Sequence, residues 1–127
     1  MQLTLIDNLP FTQITIAYQK SIAQIDNVLV DTGSASTILA ADTVSSVQIA
    51  PLPNDVLHTI RGVGGTEVVF IRQTDFLQVG ERSLPDFEIE VGGMDYGFAI
   101  NGILGMDFLT RAGAIINLST MQIEFSD

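Results

Sequence analysis

The stretch Asn27-Val-Leu-Val-Asp-Thr-Gly-Ser-Ala-Ser-Thr-Ile-Leu39 decides how the central part of this chain folds. An apolar run leads directly into Asp31-Thr-Gly-Ser34, and a second apolar run starts at Thr37. Because Asp and Gly favour turns between strands, the pattern predicts two strands joined by a tight loop. Asp31 then lies at the tip of a buried turn. Taken alone, the Asp-Thr-Gly tripeptide is as typical of an ordinary turn as of a chemical site.

The composition of the 127-residue chain leaves carboxylates as its main catalytic groups. There is no Cys and only one His, His58, which excludes thiolate nucleophiles and disulfides and disfavours a Ser-His-Asp triad or a site with several His ligands. With 15 Asp and Glu against 5 Lys and Arg, the formal charge is −10. Since no basic run is present, we expect no nucleic-acid partner.

Several expectations concern what the chain lacks. No apolar stretch approaches the ~18 residues of a membrane span, and the first ten residues carry no secretory leader. We therefore expect no membrane contact and a cytoplasmic location. We also expect no metal and no other cofactor. Asp86, Glu88 and Glu90 alternate along one predicted strand, a pattern more typical of a solvated outer face than of a cation site.

The rest of the chain is dominated by strand patterns. Its length fits a single domain over residues 1–127. Thr, Val, Ile and Phe recur with period two between Gly, Asn, Asp and Pro, which predicts an all-β barrel or sandwich. The predicted strands are 3–6, 12–18, 22–30, 36–39, 57–60, 66–71, 76–79, 87–91, 114–117 and 121–125.

Three local signals interrupt this strand pattern. Glycine-rich residues 62–65 predict one hairpin turn, and residues 79–82 predict another. A short helix is predicted over Met106–Arg111, with Asp107 in its first turn and Gly113 near its end. Arg61 and Arg72 flank the glycine-rich hairpin, and we expect both to be solvated.

The order of three segments resembles the retropepsin-like, single-domain branch of the pepsin-type aspartic proteases. These segments are the apolar run into Asp31-Thr-Gly-Ser34, the hairpin Ile60-Arg-Gly-Val-Gly-Gly-Thr66, and Ile103-Leu-Gly105 before the short helix. The resemblance covers about residues 11–125. It implies a closed β-barrel with one short C-terminal helix and a flap, a mobile hairpin that covers the bound peptide.

The resemblance also implies roles for individual residues. Asp31 would be catalytic, the hydroxyl of Thr32 would hold two active-site loops together across a dimer axis, and Gly33 would let the backbone approach the substrate. The remaining residues of the implied substrate site are Ser34, Ala35, the flap residues Gly62, Val63, Gly64 and Gly65, and Ile103, with Ile38 beside them.

The chemistry of peptide hydrolysis without metal, Cys or His needs two carboxyls, one to activate water and one to protonate the scissile amide. Two such charges about 3 Å apart repel by roughly 5 to 6 kcal/mol at an effective dielectric of ~20, so the pair retains one proton. This chain has one suitable aspartate, because Asp95-Tyr-Gly97 follows glycines rather than a strand and is interpreted as a turn. The second Asp31 would therefore come from another copy, in a homodimer that binds an extended polypeptide.

The resemblance to retropepsins also predicts which segments form the dimer contacts. Residues 1–5 and 121–125 are predicted edge strands that could interleave with those of the partner, as in retropepsins.

Two alternative functions stay open at this point. One is a non-catalytic module of the same fold that dimerises or binds peptides, and the other is a monomeric β-barrel binder unrelated to proteases.

Departures from the retroviral pattern indicate a closer relation to cellular and bacterial members. Ser34 replaces the usual Ala, and its hydroxyl could donate to the Asp31 carboxylate and favour the charged form, which predicts activity at more acidic pH. Ala35 and Met106 replace both partners of an ion pair found in retroviral enzymes. Because both partners are missing together, no buried charge is left unpaired.

Overall fold

The computed structural model describes residues 1–62, 65–94 and 99–126. Two sequence predictions fall partly or wholly outside this range. Val63 and Gly64 of the predicted flap lie outside the described residues, and so does the predicted turn Asp95-Tyr-Gly97.

The described residues are mostly β-structure, as the period-two pattern predicts. The helices are α1 (Ala41–Val44), a 3-10 helix (Ser45–Val47) and α2 (Met106–Ala112). The strands are β1 (Thr4–Ile6), β2 (Leu9–Tyr18), β3 (Ser21–Val30), β4 (Ile38–Ala40), β5 (His58–Gly62), β6 (Gly65–Gln73), β7 (Phe76–Val79), β8 (Arg82–Pro85), β9 (Glu88–Gly92), β10 (Gly102–Leu104), β11 (Ala114–Asn117) and β12 (Gln122–Phe125). No helix among the described residues is long and apolar enough to cross a membrane.

Ten of these strands form one sheet in the order β5-β6-β9-β4-β10-β3-β2-β7-β8, with β1 paired to β2. Most neighbours are antiparallel, but β10 runs parallel to β3 and β9 runs parallel to β4. Strand β10 lies between β3 and β4, which are consecutive in the chain. The loop from β3 to β4, which contains Asp31, therefore spans the end of an intervening strand.

The expected closed barrel is wrong. Within the described residues, the two end strands β5 and β8 pair with β6 and β7 and not with each other, so the sheet stays open. A barrel closes only when its first and last strands pair with a consistent tilt and stagger. Period-two patterning shows which face of a strand is buried, but it carries no information on which strands are neighbours.

The core contains two groups of buried side chains. The larger group surrounds Phe87 and Phe108, whose rings meet edge to face with centroids 5.6 Å apart. The second group includes Ile38, Val69 and Ile100, with Ile60 and Ile103 packed against it. Because this second group combines residues of β4, β5, β6 and β10, it ties the hairpin β5–β6 to the strands that carry the Asp31 loop.

The predicted short helix is confirmed as α2, and its end has a clear physical reason. Phe108, Leu109 and Ala112 are buried on one side of the helix. Gly113 follows with φ of 67°, a left-handed conformation in which glycine avoids the clash of a Cβ. The hairpin β7–β8 is also confirmed, with Val79 opposite Arg82 and Gly80 at φ of 56°.

Four elements were not predicted as such: β8, β10, α1 and the 3-10 helix. Each contains only three or four residues, so a period of two or 3.6 gives a weak signal there, although the equally short β1 and β4 were predicted. Ile103-Leu-Gly105 was predicted only as the start of the helix, whereas its first two residues belong to the central strand β10.

The terminal segments pair within one chain instead of standing free for a partner. The Leu3 N–H donates to the Met121 carbonyl at 2.7 Å, and the Ile123 N–H donates to the Met1 carbonyl at 2.9 Å. Residues 1–3 therefore form a third strand-like segment beside β12, which also pairs with β11. This arrangement differs from the expected interleaving between subunits, because the hydrogen-bonding edge of β12 is already occupied.

Candidate active site

The Asp31 loop is held at the end of β3 by the strand beside it. The Asp31 N–H donates to the Leu104 carbonyl of β10 at 3.0 Å, and the Ser34 N–H donates to the Asp31 carbonyl at 3.2 Å to close a turn. The Asp31 side chain is half-buried, while Thr32 and Gly33 are exposed. The loop thus presents one carboxylate beside an accessible stretch of backbone.

Gly33 allows the carboxylate to fold back onto this backbone. The Gly33 N–H donates to Asp31 Oδ1 at 2.8 Å. A Cβ on Gly33 would lie 3.1 Å from that oxygen, closer than most real contacts of this kind. A side chain at position 33 would therefore press against Asp31 and disturb the orientation of the carboxylate.

The hydroxyl of Ser34 does not make the contact that the sequence suggested. Ser34 Oγ donates to the Ser36 carbonyl at 2.7 Å. A hydroxyl has one hydrogen to donate, so in this arrangement it is not available to the Asp31 carboxylate. The acidic bias expected from a Ser34–Asp31 hydrogen bond is therefore not supported, because the turn brings the Ser36 carbonyl within reach of Ser34.

Gly105 lies directly beneath the loop and has no room for a side chain. A Cβ there would lie 2.3 Å from the Ser36 carbonyl oxygen and 2.6 Å from the Ser36 carbonyl carbon. The following N–H groups hold the loop from the same side, with Met106 donating to the Ser34 carbonyl at 2.8 Å and Asp107 donating to the Ala35 carbonyl at 3.2 Å. The start of α2 therefore acts as the floor of the loop.

Asp107 supplies an anchor that sequence reasoning missed. Its carboxylate accepts hydrogen bonds from the Thr37 N–H and hydroxyl, and the Thr37 hydroxyl in turn accepts the Gly105 N–H at 3.1 Å. Met106, at the position where retroviral relatives carry an ion-pair partner, is exposed instead. A polar Thr37 at the start of an otherwise buried strand was the one available signal.

Two apolar residues that were expected to line substrate pockets differ in exposure. Ile103 is half-buried and pairs with Leu29 on β3 and Ile38 on β4. Ile38 is only 3% exposed and belongs to the second core group. Ile38 therefore packs in the core of this chain instead of facing an open pocket.

The predicted glycine-rich hairpin corresponds to β5 and β6. Their register runs from His58 opposite Val69 to Gly62 opposite Gly65. Below this end, Glu67 of β6 accepts a hydrogen bond from the Met94 N–H in the segment after β9. This hydrogen bond ties the hairpin to the segment that follows β9 in the chain.

Arg72 is not solvated, in contrast to the expectation. It is 8% exposed, forms an ion pair with Asp55, and lies over the Phe70 ring at 5.2 Å from the centroid. Asp55 also accepts the Leu52 N–H at 2.6 Å. Arg72 therefore ties the base of β6 to the loop that leads into β5.

The acidic face formed by Asp86, Glu88 and Glu90 was expected to be solvated, but only part of it is exposed. Asp86 and Glu88 are exposed, but Glu90 is half-buried and accepts a hydrogen bond from the Ser36 hydroxyl. Within residues 1–62, 65–94 and 99–126, no three His, Asp or Glu side chains are grouped to hold a metal ion.

The local arrangement is that of a carboxylate turn supported by a glycine-led helix, with the hairpin β5–β6 joined through a shared core group to the strands that carry the turn. A comparison with curated proteins finds no match to the chain. A comparison with protein families matches residues 23–111, more than half of the chain, to the family described as gag-polyprotein putative aspartyl protease. The matched segment begins in β3, includes the Asp31 loop and the hairpin β5–β6, and ends in α2. This confirms the retropepsin-like resemblance, and the chain belongs to that aspartyl protease family.

Proposed function

We propose that the protein is a homodimeric aspartic endopeptidase in which each subunit contributes one Asp31. The observation that carries the proposal is the Asp31 carboxylate itself. It is half-buried at the tip of a loop and bonded to the Gly33 N–H at 2.8 Å, and it lies within the segment that matches the aspartyl protease family. The sequence contains one Asp-Thr-Gly, so a second such loop requires a second chain.

In the proposed mechanism, one Asp31 carboxylate removes a proton from water while the other, protonated, donates its proton to the carbonyl oxygen. The proton taken from water then passes to the leaving nitrogen, and the second carboxyl recovers its proton as the carbonyl re-forms. The water oxygen forms the new bond to the carbonyl carbon, and the C–N bond breaks. The Thr32 hydroxyl would bond across the dimer axis and hold the two loops at a constant separation. Because both loops are exposed at Thr32 and Gly33, their approach needs no local unfolding.

The outer edge of β11 supports a two-fold contact between subunits. In the described residues β11 pairs only with β12. The Ser126 N–H donates to the Gly113 carbonyl at 2.9 Å, so by alternation the next hydrogen-bonded pair is Ile115 opposite Glu124. The N–H and C=O groups of Ala114 and Ile116 therefore face away from β12. An edge strand can pair antiparallel with its own copy about a two-fold axis, and Ile115, 52% exposed, would be covered by such pairing.

The substrate in this proposal is an extended polypeptide held between the two loops and the two β5–β6 hairpins. Gly62, Val63, Gly64 and Gly65 would form the flap that covers it, and Ser34, Ala35 and Ile103 would contact it below. Extended peptides bind by hydrogen bonds to exposed backbone, with side chains in alternating pockets. Half-buried Ile103 favours apolar substrate residues on either side of the scissile bond.

The first test is cleavage of a mixed peptide library between about pH 3 and 7. The wild-type chain is compared with Asp31→Asn, which keeps the size of the side chain and removes its charge. Asp42→Asn is the matched control, because Asp42 is also followed by Thr but lies exposed on α1. We expect cleavage by wild type and Asp42→Asn and none by Asp31→Asn. Equal cleavage by all three would contradict the proposal.

A second test addresses the shared site. Wild-type protein is mixed with an equal amount of Asp31→Asn protein and left to exchange subunits. If each site needs two Asp31 residues, only one quarter of the dimers is fully wild type and about half of the starting activity remains. Unchanged activity after complete exchange would indicate a site within one chain. A stable dimer that binds peptides without cleaving them would favour the non-catalytic module.

A further inference from the structure

The Asp31 loop leads into β4, and the strands on both sides of β4 contact the loop. On one side β10 and α2 supply the backbone contacts described above. On the other side lies β9, since the sheet order is β9-β4-β10. From β9, the Glu90 carboxylate accepts a hydrogen bond from the Ser36 hydroxyl, and the Glu90 N–H donates to the Thr37 carbonyl at 2.9 Å.

Three hydrogen bonds, joined through the residues Ser36 and Ser34, lead from Glu90 to Asp31. The Ser36 hydroxyl donates to Glu90, and the Ser36 carbonyl accepts from the Ser34 hydroxyl at 2.7 Å. The Ser34 N–H then donates to the Asp31 carbonyl at 3.2 Å. Two hydroxyls and two backbone groups thus connect a strand carboxylate to the residue proposed as catalytic.

The physical importance of this connection comes from the irregular backbone of the loop. Residues 31–37 belong to no helix or strand, so their positions depend on contacts with neighbouring elements. A hydrogen bond to a carboxylate is about twice as strong as one between neutral groups. Glu90 is half-buried, whereas Glu88, two residues earlier on the same face, is exposed.

We propose that Glu90 is a positioning residue, which acts through Ser36 to hold the Asp31 loop in its reactive geometry. This inference rests on the proposed function. Catalytic carboxylates must meet the substrate and each other with little positional error, and a misplacement of about 1 Å can reduce turnover ~100-fold. Glu90 lies on β9, outside the loop, and this role requires no contact between Glu90 and the substrate.

The test compares peptide cleavage by wild type, Glu90→Ala, Glu90→Gln, Ser36→Ala and the double variant Glu90→Ala/Ser36→Ala. Glu88→Ala is the matched control on the same strand. We expect Glu90→Ala to lower kcat about tenfold with KM changed less than about twofold, which is the signature of lost alignment. Glu90→Gln keeps an oxygen acceptor for Ser36 and should recover most of kcat. The double variant should be no slower than the slower single variant.

A second measurement does not depend on activity. Hydrogen exchange of the peptide that covers residues 31–37 should be faster in Glu90→Ala than in wild type or Glu88→Ala. Unchanged exchange would overturn the proposal, even if the wild-type protein proves inactive and the proposed function fails. In an active enzyme, a rise in KM with unchanged kcat, or additive effects of the two substitutions, would also overturn it.

Discussion

The Asp107 carboxylate accepts two hydrogen bonds from Thr37, one from its N–H at 3.1 Å and one from its hydroxyl at 2.7 Å. Thr37 is fully buried at the end of the Asp31 loop, and Asp107 lies in the first turn of α2. The pair joins the loop to its supporting helix across 70 positions of sequence. The alignment of the candidate catalytic loop therefore depends on a contact with residues far away in the chain.

Removing this contact should destabilise the fold. Asp107→Ala deprives the buried Thr37 of an acceptor for both its N–H and its hydroxyl, and we expect a loss of about 2–4 kcal/mol in the free energy of unfolding. Asp107→Asn keeps one oxygen acceptor and should lose less. Urea denaturation measures both, with the exposed helical residue Asp42→Ala as control. Equal stability of Asp107→Ala and Asp42→Ala would contradict this role.

Gly105 should not tolerate even the smallest side chain. In Gly105→Ala the new Cβ would meet the Ser36 backbone at 2.3 Å, and backbone atoms cannot move aside as a flexible side chain can. We expect a loss of about 3 kcal/mol or more, together with displacement of the Asp31 loop. In Gly93→Ala the nearest atom is 4.0 Å away, so this control should be nearly neutral. Thermal unfolding and peptide cleavage of the two variants would check both statements.

The ion pair between Arg72 and Asp55 should stabilise the base of the β5–β6 hairpin. Because Arg72 is only 8% exposed, Arg72→Met leaves Asp55 with an unpaired charge, and we expect a loss of about 2 kcal/mol. A double-mutant cycle with Asp55→Asn should give a coupling of about 1 kcal/mol or more. Lys20→Met, which replaces an exposed cation, is the control. Additive effects at positions 72 and 55 would show that the pair is not coupled.

The outer edge of β11 should be needed for dimerisation. Ile115→Lys places a charge on a side chain that would be covered in the dimer, and we expect the dissociation constant to rise about tenfold or more. Ile22→Lys introduces the same charge at a side chain that is 65% exposed on β3. The two variants share their net charge, so a difference between them in analytical ultracentrifugation reports the position alone. If both variants weaken the dimer equally, the outer edge of β11 is not the dimer contact.

Charge should make the dimer weaker at neutral pH. Two chains of −10 give −20 in the dimer, and protonation of carboxyl groups on moving from pH 7.5 to pH 5 reduces their mutual repulsion. We therefore expect a lower dissociation constant at pH 5. Added salt at pH 7.5 should bring the dissociation constant closer to its value at pH 5, because salt screens exposed charges. A dimer that tightens towards pH 7.5 would contradict the expectation.

The local features of this protein could be predicted from sequence because their causes are local. Turn residues at Asp31–Ser34, period-two runs, and a glycine at position 113 each act within a few residues. Most of the strands, the two hairpin turns and α2 follow from them. The strands β8 and β10, the one-turn helix α1 and the 3-10 helix did not, since three or four residues give only a weak periodic signal.

The candidate site was only partly predictable, because some of its contacts join residues that are far apart in the sequence. Its carboxylate and its glycines are readable in the chain, and the family match covers them. The bonds Asp107–Thr37 and Glu90–Ser36, and the burial of Arg72 against Asp55, join residues far apart in sequence. A carboxylate in a single sequence does not reveal whether it faces water or a buried hydroxyl.

The order of the residues alone establishes that a carboxylate stands at a turn between two apolar strands, followed by a glycine-rich hairpin and a glycine-led helix. The packing of the folded chain places β10 between β3 and β4, leaves the sheet open within the described residues, and pairs residues 1–3 with 121–123 of the same chain. The reason is that side-chain patterns select the buried face of each strand, while the choice of neighbour depends on the packing of all strands together.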